Sequence, residues 1–274
     1  MANIREIKNR VVSTKNTAKV TRAMQMVSAA KSKSASKEAI SVALYCKKIN
    51  EIVNKLGIGV KRVSTTNNKI GVVVVGPSRG FVGQLNNMIM GALMQFKKDK
   101  AKYIIEGIGI QKHGAKIITQ CGIEVKYNFE NGDDISAIYT LLHDKFDSSE
   151  YGELFIVYSR FINLLKSEAI VERLLPAESM IIQAGKIDDS YLYEPDQEEV
   201  MKNLEEKLFE AKILSAILNN KASEHASRMM TMQNATENAM DLVGTLTQKL
   251  NKERQNKITQ QIIEVASGGK NYEN

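Results

Sequence analysis

The chain has 274 residues and a formal net charge of +7, and its hydrophobic fraction of 43% is too high for an intrinsically disordered protein. No apolar run approaches the roughly 20 residues that span a bilayer, and the N-terminal segment lacks the apolar centre of a signal peptide. We therefore expect a protein that is made and kept in the cytoplasm, with Cys46 and Cys121 as reduced thiols.

The N-terminal stretch, residues 1–57, is predicted to be one long helix. Neither Gly nor Pro, the residues that disfavour helices most, occurs before Gly57. Heptad positions along it are held by Ile4, Ile7, Val11, Thr14, Ala18 and Thr21, and again by Val42, Tyr45, Ile49, Ile52 and Leu56. Residues 1–60 carry twelve Lys or Arg against three acidic residues. This excess is typical of a solvated helix face or of a surface for an acidic partner, which could be nucleic acid, an anionic membrane or a protein.

The middle of the chain, residues 58–195, is predicted to alternate strands and helices. The run Lys69–Val75 is continuously apolar and β-branched, which is typical of a buried parallel strand. Further strands are expected over residues 103–108, 125–129 and 154–160, with extended segments near 168–175 and 180–183. Helices are expected over residues 84–96, 109–121 and 135–146. This alternation predicts an open α/β sheet, whose strand order the sequence leaves open.

The C-terminal stretch, residues 196–274, carries the clearest periodicity in the chain. A heptad register, spaced alternately by four and three, runs through Leu204, Leu208, Ala211, Ser215, Leu218, Ala222, His225, Met229, Met232, Thr236, Ala239, Val243, Leu246 and Leu250. It predicts a left-handed coiled coil, with the N-terminal helix as an antiparallel partner. A helix over residues 200–266 would be about 100 Å long, so its far end, with Ile258, Ile262 and Val265, would extend beyond that partner.

Sequence motifs for catalysis are weak throughout. The loop at residues 76–83 lies between a strand and a helix, where phosphate-binding loops occur, but it lacks the GKS or GKT ending and does not match GxGxxG. His113, His143 and His225 are isolated, and a core histidine that is hydrogen-bonded is the simpler interpretation of His225. We therefore expect no catalytic residue, no metal site and no cofactor.

Four segments resemble one protein family. Residues 7–31 are similar to I-x-x-x-N-T-x-K-I-T-[KR]-A-M-x-M-V-[AS]-A-x-K, residues 222–239 to S-E-x-A-A-R-M-x-A-M-x-N-A-T-x-N-A, and residues 251–260 to Y-N-K-x-R-Q-x-x-I-T-Q-E. Residues 191–196 are a shorter match. In this order they resemble the gamma subunit of F-type ATP synthases. After the first strand that family has T-S-D-[KR]-G-L-C-G-G-L-N, whereas residues 76–86 here read GPSRGFVGQLN, without the Asp and the Cys.

The resemblance implies a fold, a function and partners. The fold would be an antiparallel coiled coil of the terminal helices with a central Rossmann-like α/β domain. The chain would be a non-catalytic central-stalk rotor, peripheral on the cytoplasmic face of a bacterial membrane. It would transmit rotation between the c-ring and the ring of alpha and beta subunits, so that proton flow is coupled to ATP synthesis. The epsilon subunit would be a further partner, and neither nucleic acid nor direct membrane insertion is expected.

The resemblance also implies contact residues. Arg254, Gln255 and Thr259 would meet a beta-subunit loop, and Met24 and Arg228 would lie near the acidic lever loop of beta. The remaining two implied positions, in the foot facing the c-ring, are Tyr193 and Glu194.

Two other functions fit single features of the sequence. The basic N-terminal helix is also typical of a nucleic-acid-binding coiled coil, which would bind DNA or RNA in a salt-sensitive manner. The loop at 76–83 is compatible with a nucleotide-using α/β enzyme, which would bind nucleotide stoichiometrically.

Overall fold

A computed structural model describes residues 4–56, 68–132, 134–176, 194 and 196–269. Two helices dominate it: α1, Ile4–Leu56, with 53 residues, and α5, Gln197–Gly269, with 73 residues. Among the residues described, none of the helices combines the length and the apolar character that crossing a bilayer requires. The chain groups into two compact units, Met1–Val27 with Met229–Asn274, and Ser28–Arg228.

A five-stranded sheet forms the centre of the unit Ser28–Arg228. Its strands are β1, Lys69–Val75; β2, Ile104–Ile110; β3, Glu124–Phe129; β4, Glu153–Phe161; and β5, Ser167–Leu175. They lie in the order β3-β2-β1-β4-β5. The strands β1, β2, β3 and β4 are parallel to one another, whereas β5 is antiparallel to β4. The predicted open α/β sheet is confirmed, and β1 is its central strand.

Helices cover both faces of this sheet. They are α2, Leu85–Asp99; α3, Gly114–Gln120; and α4, Ile135–Asp147, together with part of α5. One face packs against apolar residues of α2, including Ile89 and Leu93. The other face packs against Leu142 of α4 and against Phe209 and Ile213 of α5. Because both faces are covered, β1 is apolar along almost its whole length, as its sequence predicts.

The predicted helix over residues 109–121 begins later than expected. Gly109 and Ile110 are the last residues of β2, where they pair with Val74 and Val75 of β1. The helix α3 starts at Gly114. Strand pairing therefore extends further than the local sequence suggests. The extended segment predicted at 180–183 lies outside the described residues, and the division into 1–57, 58–195 and 196–274 stays a prediction, although α1 ends and α5 begins close to its borders.

Within the unit Ser28–Arg228, α1 and α5 pack antiparallel to each other. The Ser32 hydroxyl donates a hydrogen bond to the carbonyl of Ala222 at 3.3 Å. Further along α1, Ile49 and Val53 pack in one apolar cluster with Leu208. Contact positions therefore rise along α1 as they fall along α5, which is the antiparallel arrangement that the heptads predict.

The other unit contains the start of α1 and the second part of α5. The hydroxyls of Thr21 and Thr236, both predicted seam residues, share a hydrogen bond of 2.7 Å. Seam positions on both helices are buried, among them Ile7 and Val11 of α1 and Met232 and Val243 of α5. The heptad register therefore identifies the residues that face the partner helix in this unit as well.

Candidate functional site

The loop at residues 76–83, which connects β1 to α2, is attached to α5 by side chains that bind its carbonyl groups. Asn220 Nδ2 donates to the carbonyl of Gly76 at 2.8 Å. The Ser227 hydroxyl donates to the carbonyl of Val82. Asn220 and Ser227 are seven residues apart, which places them on the same side of α5, two turns from each other.

An ion pair lies at the centre of this attachment. Arg228 Nη2 donates to Glu224 Oε1 at 2.7 Å, and the two side chains are 8% and 2% exposed. The same guanidinium donates to the carbonyls of Arg79 at 3.3 Å and Gly80 at 3.2 Å. Arg228 therefore joins an acidic residue of its own helix to the loop. We call the four side chains of Asn220, Glu224, Ser227 and Arg228 the α5 clamp.

Glu224 fixes the first half of the loop. Its carboxylate accepts hydrogen bonds from the Ser78 backbone amide at 2.8 Å and from the Ser78 hydroxyl at 2.7 Å. Burial opposes ionisation, but the hydrogen bonds from Arg228 and Ser78 outweigh it and lower the pKa of Glu224. The backbone amide that a phosphate-binding loop would offer to its ligand is thus bonded to a carboxylate of the same chain.

The turn between β2 and α3 packs against the same loop. The His113 amide donates to the carbonyl of Pro77 at 3.3 Å. A Cβ atom on Gly76 would come within 2.3 Å of the Gly114 amide nitrogen, so only glycine fits at position 76. Lys112 and Lys116, on either side of His113, are exposed.

Phe81, at the tip of the loop, has an unusual conformation. Its φ is +61°, in the left-handed region that non-glycine residues rarely adopt. Its side chain is 67% exposed, so the ring gains little from burial within this chain. The neighbouring Gly80 and Val82 carbonyls are the ones bonded to Arg228 and Ser227, so the clamp supports this conformation.

The predicted contact residues fall into different environments. Arg228 is buried in the clamp, where it also donates to His225 Nδ1 at 3.2 Å, and burial with nearby cationic groups lowers the pKa of His225. Met24 is 38% exposed. The three predicted positions near the end of α5 are also exposed: Arg254, Gln255 and Thr259. Their contacts with beta stay predictions.

The two foot residues are described only in part. Glu194 is exposed, whereas Tyr193 lies outside the described residues. In the part of the chain that the structure covers, no three His, Cys, Asp or Glu residues are arranged to hold a metal ion, and Cys46 and Cys121 are free.

The roles of Glu224, Ser78 and Asn220 do not follow from any sequence motif. The sequence does contain a signal for the ion pair, because Glu224 and Arg228 are four residues apart on a predicted helix and therefore lie on the same face of it. Nothing in the local sequence indicated that their partner is a loop 146 residues earlier in the chain.

Comparisons with known proteins cover almost the whole chain. Residues 3–271 match the protein family described as ATP synthase. The ATP synthase gamma chain of Roseiflexus castenholzii is 33% identical over 284 residues, with 98% of each chain covered. The ATP synthase gamma chain of Chloroflexus aurantiacus is 35% identical over 291 residues, again with 98% of each chain covered.

Solved structures share the fold at low sequence identity. A chain in the cryo-EM structure of the Euglena gracilis mitochondrial ATP synthase, OSCP/F1/c-ring in rotational state 3, has a TM-score of 0.70 at 15% identity. The match covers 97% of this chain and 93% of that one. A chain in the Tetrahymena thermophila mitochondrial ATP synthase central stalk and c-ring has a TM-score of 0.59 at 20% identity, and covers 79% and 99% of the two chains.

Proposed function

Because this chain belongs to the ATP synthase gamma-chain family, we propose that it is the central-stalk rotor of an F-type ATP synthase. It transmits rotation between the membrane c-ring and the ring of alpha and beta subunits, and thereby couples proton flow to ATP synthesis. The observation that carries this proposal is the match to curated gamma chains over 98% of both lengths.

The mechanism depends on differential binding. A pair of wound helices has no threefold symmetry, so each beta subunit of a threefold ring meets a different face of the rotor. Each face favours a different conformation of the beta subunit, as a ligand favours the state it binds more tightly. Rotation passes these preferences from one beta subunit to the next. In this mechanism the chain itself is non-catalytic and needs no cofactor.

The exposed end of α5 is the proposed site of contact with beta. Arg254, Gln255 and Thr259 lie on it, and exposed apolar residues follow, including Ile262 at 63% exposure and Val265 at 77%. Met24 on α1 is a second proposed contact. Arg228 is already bonded within its own chain, so we propose that it acts on beta through the loop it holds.

The remaining proposed partners, the c-ring and the epsilon subunit, attach the rotor to the membrane sector. We assign Tyr193 and Glu194 to contacts with the c-ring, and the epsilon subunit to the same part of the stalk. The chain would then be a peripheral protein on the cytoplasmic face of a bacterial membrane.

Purification of the chain from its native membranes tests the assignment. An affinity tag is added to its C-terminus, and bound proteins are identified after mild detergent extraction. We expect alpha, beta and epsilon subunits in stoichiometric amounts and c-ring in the detergent-extracted complex. Recovery of the chain without alpha and beta subunits would refute the proposal, and co-purification of nucleic acid that salt releases would favour the nucleic-acid-binding alternative.

Rotation itself is tested on the assembled complex. The alpha and beta subunits are fixed to a surface, and a bead is attached to the exposed side of this chain through an introduced cysteine. ATP should then drive rotation of the bead in one direction, whereas a bead on alpha in an otherwise identical complex should stay still. A complex that hydrolyses ATP without moving the bead would contradict the rotor function.

A further inference from the structure

A cleft opens within the unit Ser28–Arg228 where α1, the strand pair β4 and β5, and α5 meet. We call it the α1–β4 cleft. Its volume is about 620 Å³. Pockets for small organic molecules typically enclose about 300–1,000 Å³, so the cleft has a suitable size for one such ligand. The residues proposed above for contacts with beta are not among those that line it.

Part of the cleft lining is apolar. Ala39, Ile40 and Ala43 of α1 contribute to it, together with Phe161 at the end of β4. Phe161 is half-buried, and its backbone amide donates to Asn219 Oδ1 of α5 at 3.3 Å, which fixes the strand end to the helix. Alanine side chains are small, so α1 leaves room beside the phenylalanine ring. An aromatic ligand is favoured there, because aromatic rings pack well against one another.

The two acidic residues of the lining already have cationic partners. Glu172 lies 3.4 Å from Lys212 Nζ and accepts a hydrogen bond from the Tyr158 hydroxyl at 3.2 Å. Burial and the carboxylate of Glu172 raise the pKa of Tyr158 to about 12, so this hydroxyl stays protonated at neutral pH. Glu51 forms an ion pair with Lys48 at 2.8 Å. A cationic ligand would therefore have to displace existing ion pairs.

The two cationic residues of the lining, Arg160 and Lys47, are exposed and differ in this respect. Neither forms an ion pair with a carboxylate of the described residues, although Glu168 lies opposite Arg160 in the pairing of β4 with β5. Arg160 is hydrogen-bonded to the Tyr158 hydroxyl. A guanidinium group has five N–H donors, so others remain for an anion. The cleft thus presents uncompensated positive charge beside an apolar surface.

We propose that the α1–β4 cleft binds a small aromatic organic anion. The ring of the ligand packs against Ala39, Ala43 and Phe161, and its acidic group accepts hydrogen bonds from Arg160, with Lys47 as a second positive charge. The proposal goes beyond the rotor function and does not depend on it, because the cleft lies within one unit of the chain. A ligand in this position contacts α1, β4 and α5 together, so its binding stabilises that unit.

Protection of a cysteine in the cleft tests this site on the full-length chain. The probe is anilinonaphthalene sulfonate, a fluorescent dye with an aromatic body and one anionic group, and N-phenylnaphthylamine is the matched uncharged control. Cys46 lines the cleft and is half-buried, so its alkylation by N-ethylmaleimide reports whether the cleft is occupied. Alkylation is followed by mass spectrometry at mildly alkaline pH, because burial raises the pKa of the Cys46 thiol.

The dye should slow alkylation of Cys46 by at least about fivefold at a concentration several times its Kd, because the bound probe covers the thiol. The uncharged control at the same concentration should protect Cys46 much less. A rise in fluorescence without protection of Cys46 would place the dye elsewhere, for example on the exposed apolar end of α5, and would overturn the site. Equal protection by the uncharged control would overturn the preference for an anion.

Substitution of Arg160 tests the residue assigned to the acidic group. Arg160→Gln should weaken protection of Cys46 by the dye about fivefold, because one favourable charge contact is lost. The unfolding temperature should stay unchanged, since the Arg160 side chain is exposed. The matched control is Lys102→Gln, which removes the same charge at an exposed position between α2 and β2 and should leave protection unaltered. Full protection in the Arg160→Gln chain would contradict the proposed role of Arg160.

Discussion

At the scale of single residues, two buried carboxylates each have a cationic partner and a further donor. Glu224 is bonded to Arg228 and Ser78, and Glu106 accepts from Lys69 Nζ at 3.2 Å and from the Tyr151 hydroxyl at 3.0 Å. A buried charge is tolerated only when its partners replace the water that it has lost. Removal of one partner is therefore more costly than removal of both.

The Glu224–Arg228 pair gives a prediction about stability. Glu224→Gln leaves the Arg228 charge buried without its counter-ion, and should lower the free energy of unfolding by about 3 kcal/mol. The matched control is Glu6→Gln, which breaks the exposed pair with Arg10, whose side chains are 55% and 68% exposed. That control should change stability by less than about 0.5 kcal/mol. Both are measured by urea unfolding of the isolated chain.

A double substitution checks the reason for this loss. Replacement of both charges, as in Glu224→Leu with Arg228→Met, leaves no isolated buried charge, so it should destabilise less than the sum of the single substitutions. An additive loss would show that the two charges do not interact in the way the geometry indicates.

The same carboxylates give a prediction about pH. Hydrogen bonds and cationic neighbours, acting against burial, lower the pKa values of Glu224 and Glu106 below their ordinary value of 4.5. The folded state therefore binds fewer protons than the unfolded state as the pH falls below 4.5, and stability decreases with falling pH in that window. Above it, the stabilising contribution is complete. Urea midpoints between pH 3 and 7 should follow this curve.

Substitution isolates the contribution of Glu224 to that curve. In Glu224→Gln the titrating group is absent, so the decrease below about pH 4.5 should be shallower than in the unsubstituted chain. Glu6→Gln should retain the full slope. An identical pH profile in the Glu224→Gln chain would mean that the pKa of this carboxyl is not lowered by folding.

At the scale of elements, sequence periodicity predicts where the helices and strands lie, but not which elements pack against each other. The apolar run of β1 and the heptads of α1 and α5 are local patterns, and the structure confirms them. The strand order and the attachment of loop 76–83 to α5 depend on contacts between distant parts of the chain, which no local pattern encodes. The start of α3 differs from the prediction for the same reason, because the last residues of β2 are fixed by their pairing with β1.

Two glycines, Gly76 in the loop after β1 and Gly91 inside α2, should respond to alanine substitution in opposite ways. At Gly76 a Cβ atom would lie 2.3 Å from a backbone nitrogen, which cannot move without separating α3 from β1, so Gly76→Ala should destabilise the chain by about 3 kcal/mol. At Gly91, inside α2, nothing lies within 4 Å of the new atom. Gly91→Ala should therefore stabilise the helix by up to about 1 kcal/mol. Urea unfolding of both variants measures the difference, and a stable Gly76→Ala chain would contradict the close approach.

At the scale of the whole molecule, the burial of side chains changes along the length of α5. Between residues 208 and 226 most side chains are buried or half-buried within the unit Ser28–Arg228. From residue 254 to residue 265 every side chain is exposed, including the large apolar residues Ile258, Ile262, Ile263 and Val265. Exposed apolar residues in succession on one helix end are typical of a surface that a partner covers. In a member of this family, the ring of alpha and beta subunits is the proposed partner.

Hydrogen exchange of backbone amides distinguishes a covered helix end from an exposed one. In the isolated chain, the side chains of residues 254–265 are all exposed, so little packing restrains local opening of this segment. Its amides should exchange much faster than those of residues 208–217, which are packed against the sheet and α1. In the complex with alpha and beta, exchange at 254–265 should slow by at least about tenfold, because the ring restrains opening of the helix. The segment 208–217 is an internal control and should be protected in both samples. Equally fast exchange at 254–265 in the assembled complex would mean that the ring does not enclose this end of α5, and the proposed contacts of Arg254, Gln255 and Thr259 would have to be abandoned.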